Sequence, residues 1–324
     1  MKVSPGRASL ARVTSSPLRS TALRGTPRDG PLRIGAALGG GSARGYAHIG
    51  ALAALERHGM APTVLAGTSF GAVVGALYAS RRSPEALEAQ AARLRRRDVL
   101  PSVMDFGLHR GALFRGRRLE QYFDRLLEGR SFADLDRTLV VTATDADSGE
   151  RVVLDRGPLA PALRASASLP GVFAPVEIDG RRLIDGGIGA PVPLATLDAF
   201  ELDLRIGIGA GADADDSGTI RAVRRAIEHP WGRKVHAAMG RAGPGQAGAL
   251  VRALAWTVEG YRTAVERHEG PGLQVHTRPP IHWLRFDRAE EAIRAGEGAL
   301  ERAVPALRAA LAEAAGLREA LAAP

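Results

Sequence analysis

Short apolar runs alternate with amphipathic stretches in the first third of the chain. Residues 32–38 form an apolar run that stops at glycines, as a buried strand does. Apolar side chains recur at helical spacing in residues 46–57 and again in residues 70–78, and residues 63–66 form a second short apolar run between them. The order strand, helix, strand, helix predicts parallel strands joined by right-handed crossovers, and therefore an α/β sheet covered on both faces.

The rest of the chain continues this pattern less regularly. The further predicted strands are residues 139–144, 151–154, 205–209 and 281–286. Residues 81–130 are interpreted as a helical insertion, and residues 288–323, rich in Ala, Leu, Glu and Arg, as terminal helices. Between residues 211 and 280 the pattern weakens, with one or two helices, for example around residues 249–265. We expect one domain at residues 32–324, with a core at 32–210 and a helical C-terminal extension at 211–324.

Positive charge concentrates at the start of the chain. Residues 1–30 hold six basic residues against one acidic residue, Asp29, which is more than half of the chain's formal net charge of +9. Because Arg alternates there with Ser, Thr, Pro and Gly, residues 1–31 are predicted to be a disordered basic tail. A solvated extension is the favoured interpretation. Attraction to anionic lipid head groups is the first alternative, and nucleic acid is not an expected partner.

Composition narrows the class of protein further. The chain has no Cys, which excludes disulfides and thiolate metal sites and fits a reducing compartment. No run approaches the roughly 20 apolar residues that span a bilayer. We therefore expect a cytoplasmic protein, with peripheral contact to an anionic membrane surface as the closest association with lipid. Neither a metal nor an organic cofactor is expected.

A glycine-rich loop at residues 39–45 lies between the first predicted strand and helix. Consecutive glycines bring backbone N–H groups close to a ligand, and the following helix N-terminus adds a positive dipole end. Such a loop suits an anion, either a phosphate or the oxyanion formed when an ester carbonyl is attacked. The dinucleotide fingerprint does not fit, because its third glycine position falls on Arg44 or its second on Ser42.

A second segment has the pattern Gly-x-Ser-x-Gly, with Gly67, Ser69 and Gly71. Because this turn joins a predicted strand to a predicted helix, it has the context of a nucleophile elbow that exposes Ser69. A serine hydroxyl needs a base at neutral pH. Five histidines follow in the order that a Ser-His-Asp hydrolase would require, and none lies in a segment with other signs of a site: His229, His236, His268, His276 and His282.

A third segment offers a different base. Asp185 ends a short apolar run and is followed by Gly186 and Gly187, which allow a tight turn. That turn can direct the Asp185 carboxylate toward Ser69. A carboxylate hydrogen-bonded to the serine Oγ could accept its proton without an imidazole.

The three segments together resemble the patatin-like phospholipase family, in its bacterial branch related to the neuropathy-target-esterase type. The matching residues are Gly40–Gly45, Gly67–Gly71 and Asp185–Gly187, and residues 164–173 are similar to the stretch that precedes the aspartate in that family. The resemblance covers roughly residues 32–200. This chain differs from many members of the family at Ser42, where those members have a third glycine.

The resemblance implies a three-layer α/β/α fold with a mainly parallel central sheet, and a Ser–Asp dyad without a catalytic histidine. It assigns Ser69 as the nucleophile and Asp185 as the base, with the oxyanion held by backbone N–H groups of Gly40, Gly41 and Ser42. Gly67, Gly71, Gly45, Gly186, Gly187 and Arg44 would support the motifs. For Arg44 a structural pairing with a carboxylate is favoured over contact with a lipid phosphate.

The function expected is that of a serine acyl hydrolase, of phospholipase A or lysophospholipase type, acting on carboxylic ester bonds of lipids. Two alternatives remain open from the sequence. One is an esterase with a Ser-His-Asp triad on an α/β-hydrolase fold. The other is a lipid-sensing protein that has kept the motifs without turnover.

Overall fold

The computed structural model describes residues 14–15, 31–93, 105–109, 112–210 and 272–322 of the 324. The predicted basic tail therefore lies outside the described residues except for residues 14–15 and 31, and so does the helix expected around residues 249–265. The division of the chain into tail, core and extension stays a prediction.

Nine of the described strands form one sheet in the order β1-β7-β6-β3-β2-β10-β11, with β9 paired to β6 and β8 paired to β9. The strands are β1 (Thr14–Ser15), β2 (Ile34–Leu38), β3 (Val64–Thr68), β6 (Thr138–Asp145), β7 (Arg151–Arg156), β8 (Val176–Ile178), β9 (Arg181–Asp185), β10 (Leu204–Gly209) and β11 (Leu273–His276). A separate antiparallel pair consists of β4 (Phe106–His109) and β5 (Ala112–Phe114). The described helices are α1 (Ala47–Arg57), α2 (Phe70–Ala79), α3 (Pro84–Arg93), α4 (Arg117–Leu126), α5 (Leu159–Ser166) and α6 (Ala289–Ala322).

The centre of the sheet is parallel, as the alternation of strands and helices predicted. β11, β10, β2, β3 and β6 run parallel to one another, while β7, β9, β8 and β1 are joined antiparallel at one side. Alternate side chains of each strand point to opposite faces. Leu65 and Val141 pack against the helices, whereas Ala66 and Val140 pack against residues 192–202, which include a 3-10 helix at Leu194–Ala199. The three-layer α/β/α class is confirmed.

Antiparallel pairing of β9 sets the position of the site. β3 pairs with one edge of β6 up to Thr68, which lies opposite Thr142. β9 continues along the same edge, with Asp185 opposite Ala143. The residue that follows β3 and the last residue of β9 are therefore brought together by neighbouring positions of one strand.

Three predicted elements differ from the structure. Residues 281–286 are not a strand; the late strand is β11, which pairs with β10, and the chain turns after Pro279 and Pro280. Proline supplies no backbone N–H to a ladder, which explains why the more apolar segment behind it is excluded from the sheet. The insertion at residues 81–130 is not only helical, because the β4–β5 hairpin lies between α3 and α4. The terminal helices are a single helix, α6, with Pro305 inside it.

No helix in the described part of the chain combines the length and the apolar character that crossing a membrane requires.

Helix α6 crosses α1 with the two backbones in direct contact. A Cβ atom at Gly50 would meet the carbonyl oxygen of Ile293, and one at Gly296 would meet the carbonyl oxygen of Ala47. Both obstacles are backbone atoms and cannot rotate away. Gly298, one half-turn further along α6, faces open space apart from the end of the Arg302 side chain at 3.5 Å.

These two glycines of α6 give a matched pair of variants. Gly296→Ala forces the helices apart and is expected to lower the free energy of unfolding by about 1–3 kcal/mol. Gly298→Ala removes a flexible glycine from a helix interior and should raise it by about 0.5–1 kcal/mol. Urea unfolding followed by circular dichroism measures both. Equal shifts of the two midpoints would contradict the close crossing of α1 and α6.

Candidate functional site

Ser69 occupies the turn between β3 and α2 in a strained conformation. Its backbone has φ 51° and ψ −123°, which L-residues rarely adopt. The N–H of Ser69 donates to Ser166 Oγ at 2.8 Å, and the Ser166 hydroxyl donates to the carbonyl of Thr142 at 2.6 Å. This pair of hydrogen bonds links the strained residue to β6 through α5. Sequence reasoning gave no role to Ser166 or Thr142, although Ser166 lies in the segment that carries the family resemblance.

Close backbone contacts around Ser69 require glycine on both sides. A Cβ at Gly67 would overlap Ala72 Cα, and one at Gly71 would overlap the carbonyl oxygens of Leu38 and Gly39. Because these obstacles are backbone atoms, a side chain at Gly67 would push the first turn of α2 away from β3, and one at Gly71 would push it away from the end of β2 and the glycine-rich loop. The elbow therefore depends on packing space as well as on backbone freedom.

Asp185 lies at the end of β9 and faces Ser69. Its Oδ2 accepts a hydrogen bond from Ser69 Oγ at 2.9 Å, and its Oδ1 accepts one from the N–H of Gly187 at 2.7 Å. The main chain of Asp185 is held as well, by its own N–H to the carbonyl of Ser168 and by the Thr144 hydroxyl to its carbonyl, both at 3.0 Å. The carboxylate is therefore fixed by its backbone and by both of its oxygens.

Burial changes the proton affinity of this carboxylate. The side chain of Asp185 is withdrawn from water, and desolvation raises its pKa from the usual 3.8 to about 6, against smaller opposing effects of the Gly187 N–H and the Ser69 hydroxyl. A carboxylate with this pKa is mostly ionised at neutral pH. It can nevertheless accept a proton at much lower cost than an exposed Asp.

The glycines that follow Asp185 hold the turn close to β6. A Cβ at Gly186 would overlap the carbonyl oxygen of Thr142, and one at Gly187 would lie 3.0 Å from Asp185 Oδ1. The turn continues as a short 3-10 helix at Gly186–Ile188. The tight turn therefore holds Gly186 in direct contact with β6 and Gly187 beside the Asp185 carboxylate.

The glycine-rich loop lies beside Ser69, with a Cβ built on Gly40 only 3.6 Å from Ser69 Cβ. Most of its amides are already engaged. Gly39 N–H donates to the carbonyl of Ile208 and Gly40 N–H to that of Pro191, both at 2.9 Å. Further along, Ala43 N–H donates to Trp283 and Arg44 N–H to Gly41.

The amides of Gly41 and Ser42 form no hydrogen bond to any residue of the described ranges. They are consecutive, and Ser42 has φ 51° in the left-handed region. Successive N–H groups in such a turn can point into one concavity and bind an anion. Of the three predicted oxyanion donors, the Gly40 amide is engaged by the Pro191 carbonyl, and the assignment of the other two stays a prediction.

Arg44 has a structural contact, but with a backbone carbonyl and not with the carboxylate that the favoured interpretation expected. Its Nε donates to the carbonyl of Ile281 at 2.9 Å, and no carboxylate of the described residues pairs with it. At the neighbouring Gly45, a Cβ atom would lie only 2.6 Å from the Phe70 ring, so the absence of a side chain there lets the ring approach. Arg44 therefore fastens the segment before α6 to the glycine-rich loop.

The histidines that lie behind Ser69 in the chain do not reach it where they are described. His276 and His282 are exposed, and His282 stacks near Trp283 and accepts from the N–H of Leu284 at 3.3 Å. His229, His236 and His268 lie outside the described residues. In the described ranges no three side chains of His, Asp or Glu gather in a way that could hold a metal ion.

Ser42 provides a test of the loop's backbone. A glycine adopts the left-handed region without the penalty that a Cβ atom imposes, so Ser42→Gly should be about 0.5–1 kcal/mol more stable than Ser42→Ala. Comparison of the two variants by chemical unfolding removes the contribution of the lost hydroxyl. If Ser42→Ala were the more stable of the two, the left-handed conformation at this position would be wrong.

Asp185 provides a test of the buried charge. Because its pKa is higher in the folded protein than the usual 3.8, the carboxyl stabilises the fold when protonated, and this contribution is lost as the pH rises through about 6. Asp185→Asn should therefore be more stable than the parent by about 2–3 kcal/mol at pH 8 and nearly equal to it at pH 3.5. Unfolding midpoints across this pH range measure the difference.

Asp147 is the matched control for that measurement. The exposed Asp147 pairs with the Arg182 guanidinium, which lowers its pKa. Asp147→Asn should therefore lose stability toward neutral pH, with the opposite sign from Asp185→Asn. A stability difference for Asp185→Asn that does not change with pH would contradict the raised pKa.

Known proteins are similar to this chain over the region that contains the site. The family model described as patatin-like phospholipase matches residues 36–198. An uncharacterised NTE family protein of Mycobacterium tuberculosis is 35% identical over 199 residues, which are 61% of this chain and 54% of that protein. Patatin-like phospholipase domain-containing protein 6 of Homo sapiens is 34% identical over 158 residues, which are 48% of this chain and 12% of that protein. Lysophospholipase NTE1 of Scheffersomyces stipitis is 28% identical over 166 residues, which are 51% of this chain and 11% of that protein.

The region that the family model matches contains the glycine-rich loop, the Ser69 elbow and Asp185. The chain matches about half the length of the mycobacterial relative and a small part of the two larger proteins. The family model nevertheless spans half of this chain, from β2 through the turn after Asp185, and includes the glycine-rich loop and the Ser69 elbow. This chain belongs to the patatin-like phospholipase family.

Proposed function

We propose that this protein is a serine acyl hydrolase that cleaves carboxylic ester bonds of phospholipids, lysophospholipids or related lipids. The observation that carries the proposal is the hydrogen bond from Ser69 Oγ to Asp185 Oδ2, at 2.9 Å, in a site where Asp185 is buried. Family membership and the names of the relatives, a phospholipase domain and a lysophospholipase, support the class of substrate.

In the first half of the proposed reaction Ser69 Oγ attacks the acyl carbonyl carbon. The hydroxyl proton moves to Asp185 Oδ2, and the carbonyl oxygen becomes an oxyanion. Collapse of this intermediate breaks the ester bond, and the proton on Asp185 passes to the departing alcohol or lysophospholipid. The acyl group remains on Ser69 as an ester.

The second half returns the enzyme to its starting state. Asp185 accepts a proton from water, whose oxygen attacks the acyl-enzyme carbonyl and forms a second oxyanion. Its collapse breaks the bond to Ser69 Oγ, which takes the proton back from Asp185, and a fatty acid leaves. The raised pKa of Asp185 supports both proton transfers, because an acid–base group works best near the operating pH.

The oxyanion needs preorganised stabilisation, and two features supply it. The N–H groups of Gly41 and Ser42 carry no hydrogen bond to the described residues and lie in the loop beside Ser69. Helix α2 begins at Phe70, directly behind the nucleophile, and its N-terminus adds positive potential. Loss of one such donor typically lowers turnover by about 10²–10³-fold.

Single substitutions test the dyad. Ser69→Ala and Asp185→Asn are each expected to lower kcat on short p-nitrophenyl esters by about 10³-fold or more, because neither leaves an activated nucleophile. A fluorophosphonate probe should label the parent at Ser69 and should fail to label Ser69→Ala. In the parent, log kcat should rise with pH up to a plateau, with an apparent pKa near the value of about 6 held by Asp185.

Histidine variants separate this dyad from a Ser-His-Asp triad. Each of the five candidates is changed to Ala, and all five variants should keep the parent's kcat: His229, His236, His268, His276 and His282. Loss of activity in one of them, together with an active Asp185→Asn, would replace the dyad by a triad. Phospholipid binding without hydrolysis of any ester in a broad panel would instead favour a lipid-sensing protein.

Three further expectations concern the location and the partners of this protein. Cytoplasmic location, peripheral contact with an anionic membrane and the absence of a nucleic-acid partner stay predictions from composition and charge. Hydrolysis of phosphatidylcholine and lysophosphatidylcholine vesicles by the parent, with Ser69→Ala as the blank, measures the substrate class directly. Activity on soluble esters alone would exclude the phospholipid part of the proposal.

A further inference from the structure

His48 lies in the first turn of α1, directly behind the glycine-rich loop, and has no exposed surface. Its Nε2 lies 2.7 Å from the carbonyl oxygen of Gly39, and its Nδ1 has no partner in the described part of the chain. A carbonyl oxygen only accepts hydrogen bonds, so Nε2 carries the proton and donates. Burial also lowers the pKa of His48 to about 4, and the imidazole is therefore neutral at neutral pH.

An imidazole at this position has an energetic cost that packing does not explain. The buried lone pair of Nδ1 is left without a donor, which typically costs about 1–3 kcal/mol. An apolar side chain of similar size would fill the same space without that cost. The donor at Nε2 is the one feature of His48 that such a side chain lacks.

The bond from His48 completes a clamp on one peptide unit. The peptide between Gly39 and Gly40 is planar, and both of its polar atoms are held: the carbonyl by His48 Nε2, and the N–H by the Pro191 carbonyl at 2.9 Å. Gly71 packs against the same Gly39 carbonyl from the side of α2. The plane of this peptide is therefore fixed immediately before the Gly41 and Ser42 amides, which carry no hydrogen bond to the described residues.

We propose that His48 is a positioning residue of the acyl-transfer site. By fixing the Gly39–Gly40 peptide, it holds the N–H groups of Gly41 and Ser42 in the orientation that receives the oxyanion at Ser69. This inference rests on the proposed function. His48 is not itself a base for Ser69, because its Nε2 is bonded to Gly39 and the Ser69 hydroxyl is bonded to Asp185.

Two variants of His48 separate the effect of its N–H donor from the effect of its side-chain volume. His48→Gln keeps an N–H donor that can reach the Gly39 carbonyl, while His48→Met fills similar space with no donor. His48→Met is expected to lower kcat on a p-nitrophenyl ester by about 10-fold or more with KM changed less than about 3-fold, since a misplaced oxyanion donor acts on the transition state. His48→Gln should recover most of the lost kcat.

Leu55→Val is the control for a general loss of stability in α1. Leu55 is fully buried two turns further along the same helix, away from the loop. This variant should lose stability in chemical unfolding and keep the parent's kcat. Equal kcat values for His48→Met and the parent, or the same loss in Leu55→Val, would overturn the proposal.

A second measurement is independent of turnover. Hydrogen exchange of the Gly40 amide, which is bonded to Pro191, should be at least about 10-fold faster in His48→Met than in the parent and unchanged in Leu55→Val. Nitrogen NMR of the parent should show a protonated Nε2 and an unprotonated Nδ1. If the parent hydrolyses no ester, the proposed function fails, while unchanged Gly40 exchange in His48→Met would overturn the role of His48 by itself.

Discussion

The site depends on the way two strands share one edge of β6. β3 pairs with this edge up to Thr68, which lies opposite Thr142. β9 pairs with the next residues of the same edge, and Asp185 lies opposite Ala143. Ser69 follows β3 directly, so the register of two ladders determines the distance between its hydroxyl and the carboxylate. A slip of either strand by one residue would turn its side chains to the opposite face and separate the two groups. The 2.9 Å hydrogen bond is thus a consequence of the pairing of β3 and β9 with β6.

Close packing of backbone segments fixes the loops and turns that strand pairing alone does not hold in place. The elbow approaches the glycine-rich loop at Gly71, and the turn after Asp185 approaches β6 at Gly186; at both glycines a Cβ atom would overlap a backbone oxygen. The strained conformation of Ser69 costs about 1–3 kcal/mol and persists only where its surroundings hold it. Here the Ser166 hydroxyl holds the Ser69 N–H on one side, and α2 begins on the other. Strain at Ser69 is therefore maintained by groups that take no part in the proposed bond changes.

The local patterns were predictable from the sequence, whereas the contacts between distant segments were not. Apolar runs bounded by glycines identified β2 and β3, and the elbow followed from their order. The family resemblance, rather than spacing, selected Asp185 over five histidines. The engagement of the Gly40 amide could not be predicted, because its acceptor, Pro191, lies far along the chain and meets it only in the folded sheet. β11 was missed because its few alternating residues are less apolar than residues 281–286, which two prolines exclude from the ladder.

Burial acts in opposite directions on the two titratable groups near the glycine-rich loop. It raises the pKa of Asp185 to about 6 and lowers that of His48 to about 4, so at neutral pH the first is ionised and the second is neutral. Of these two groups, only Asp185 then carries a charge. In the proposed acylation this charge moves from the Asp185 carboxylate to the oxyanion as the proton moves the other way, and no additional charge is created in a poorly solvated space. In the proposed reaction, transfer of the existing charge toward the Gly41 and Ser42 amides lets the Asp185 carboxylate act as the base without a histidine.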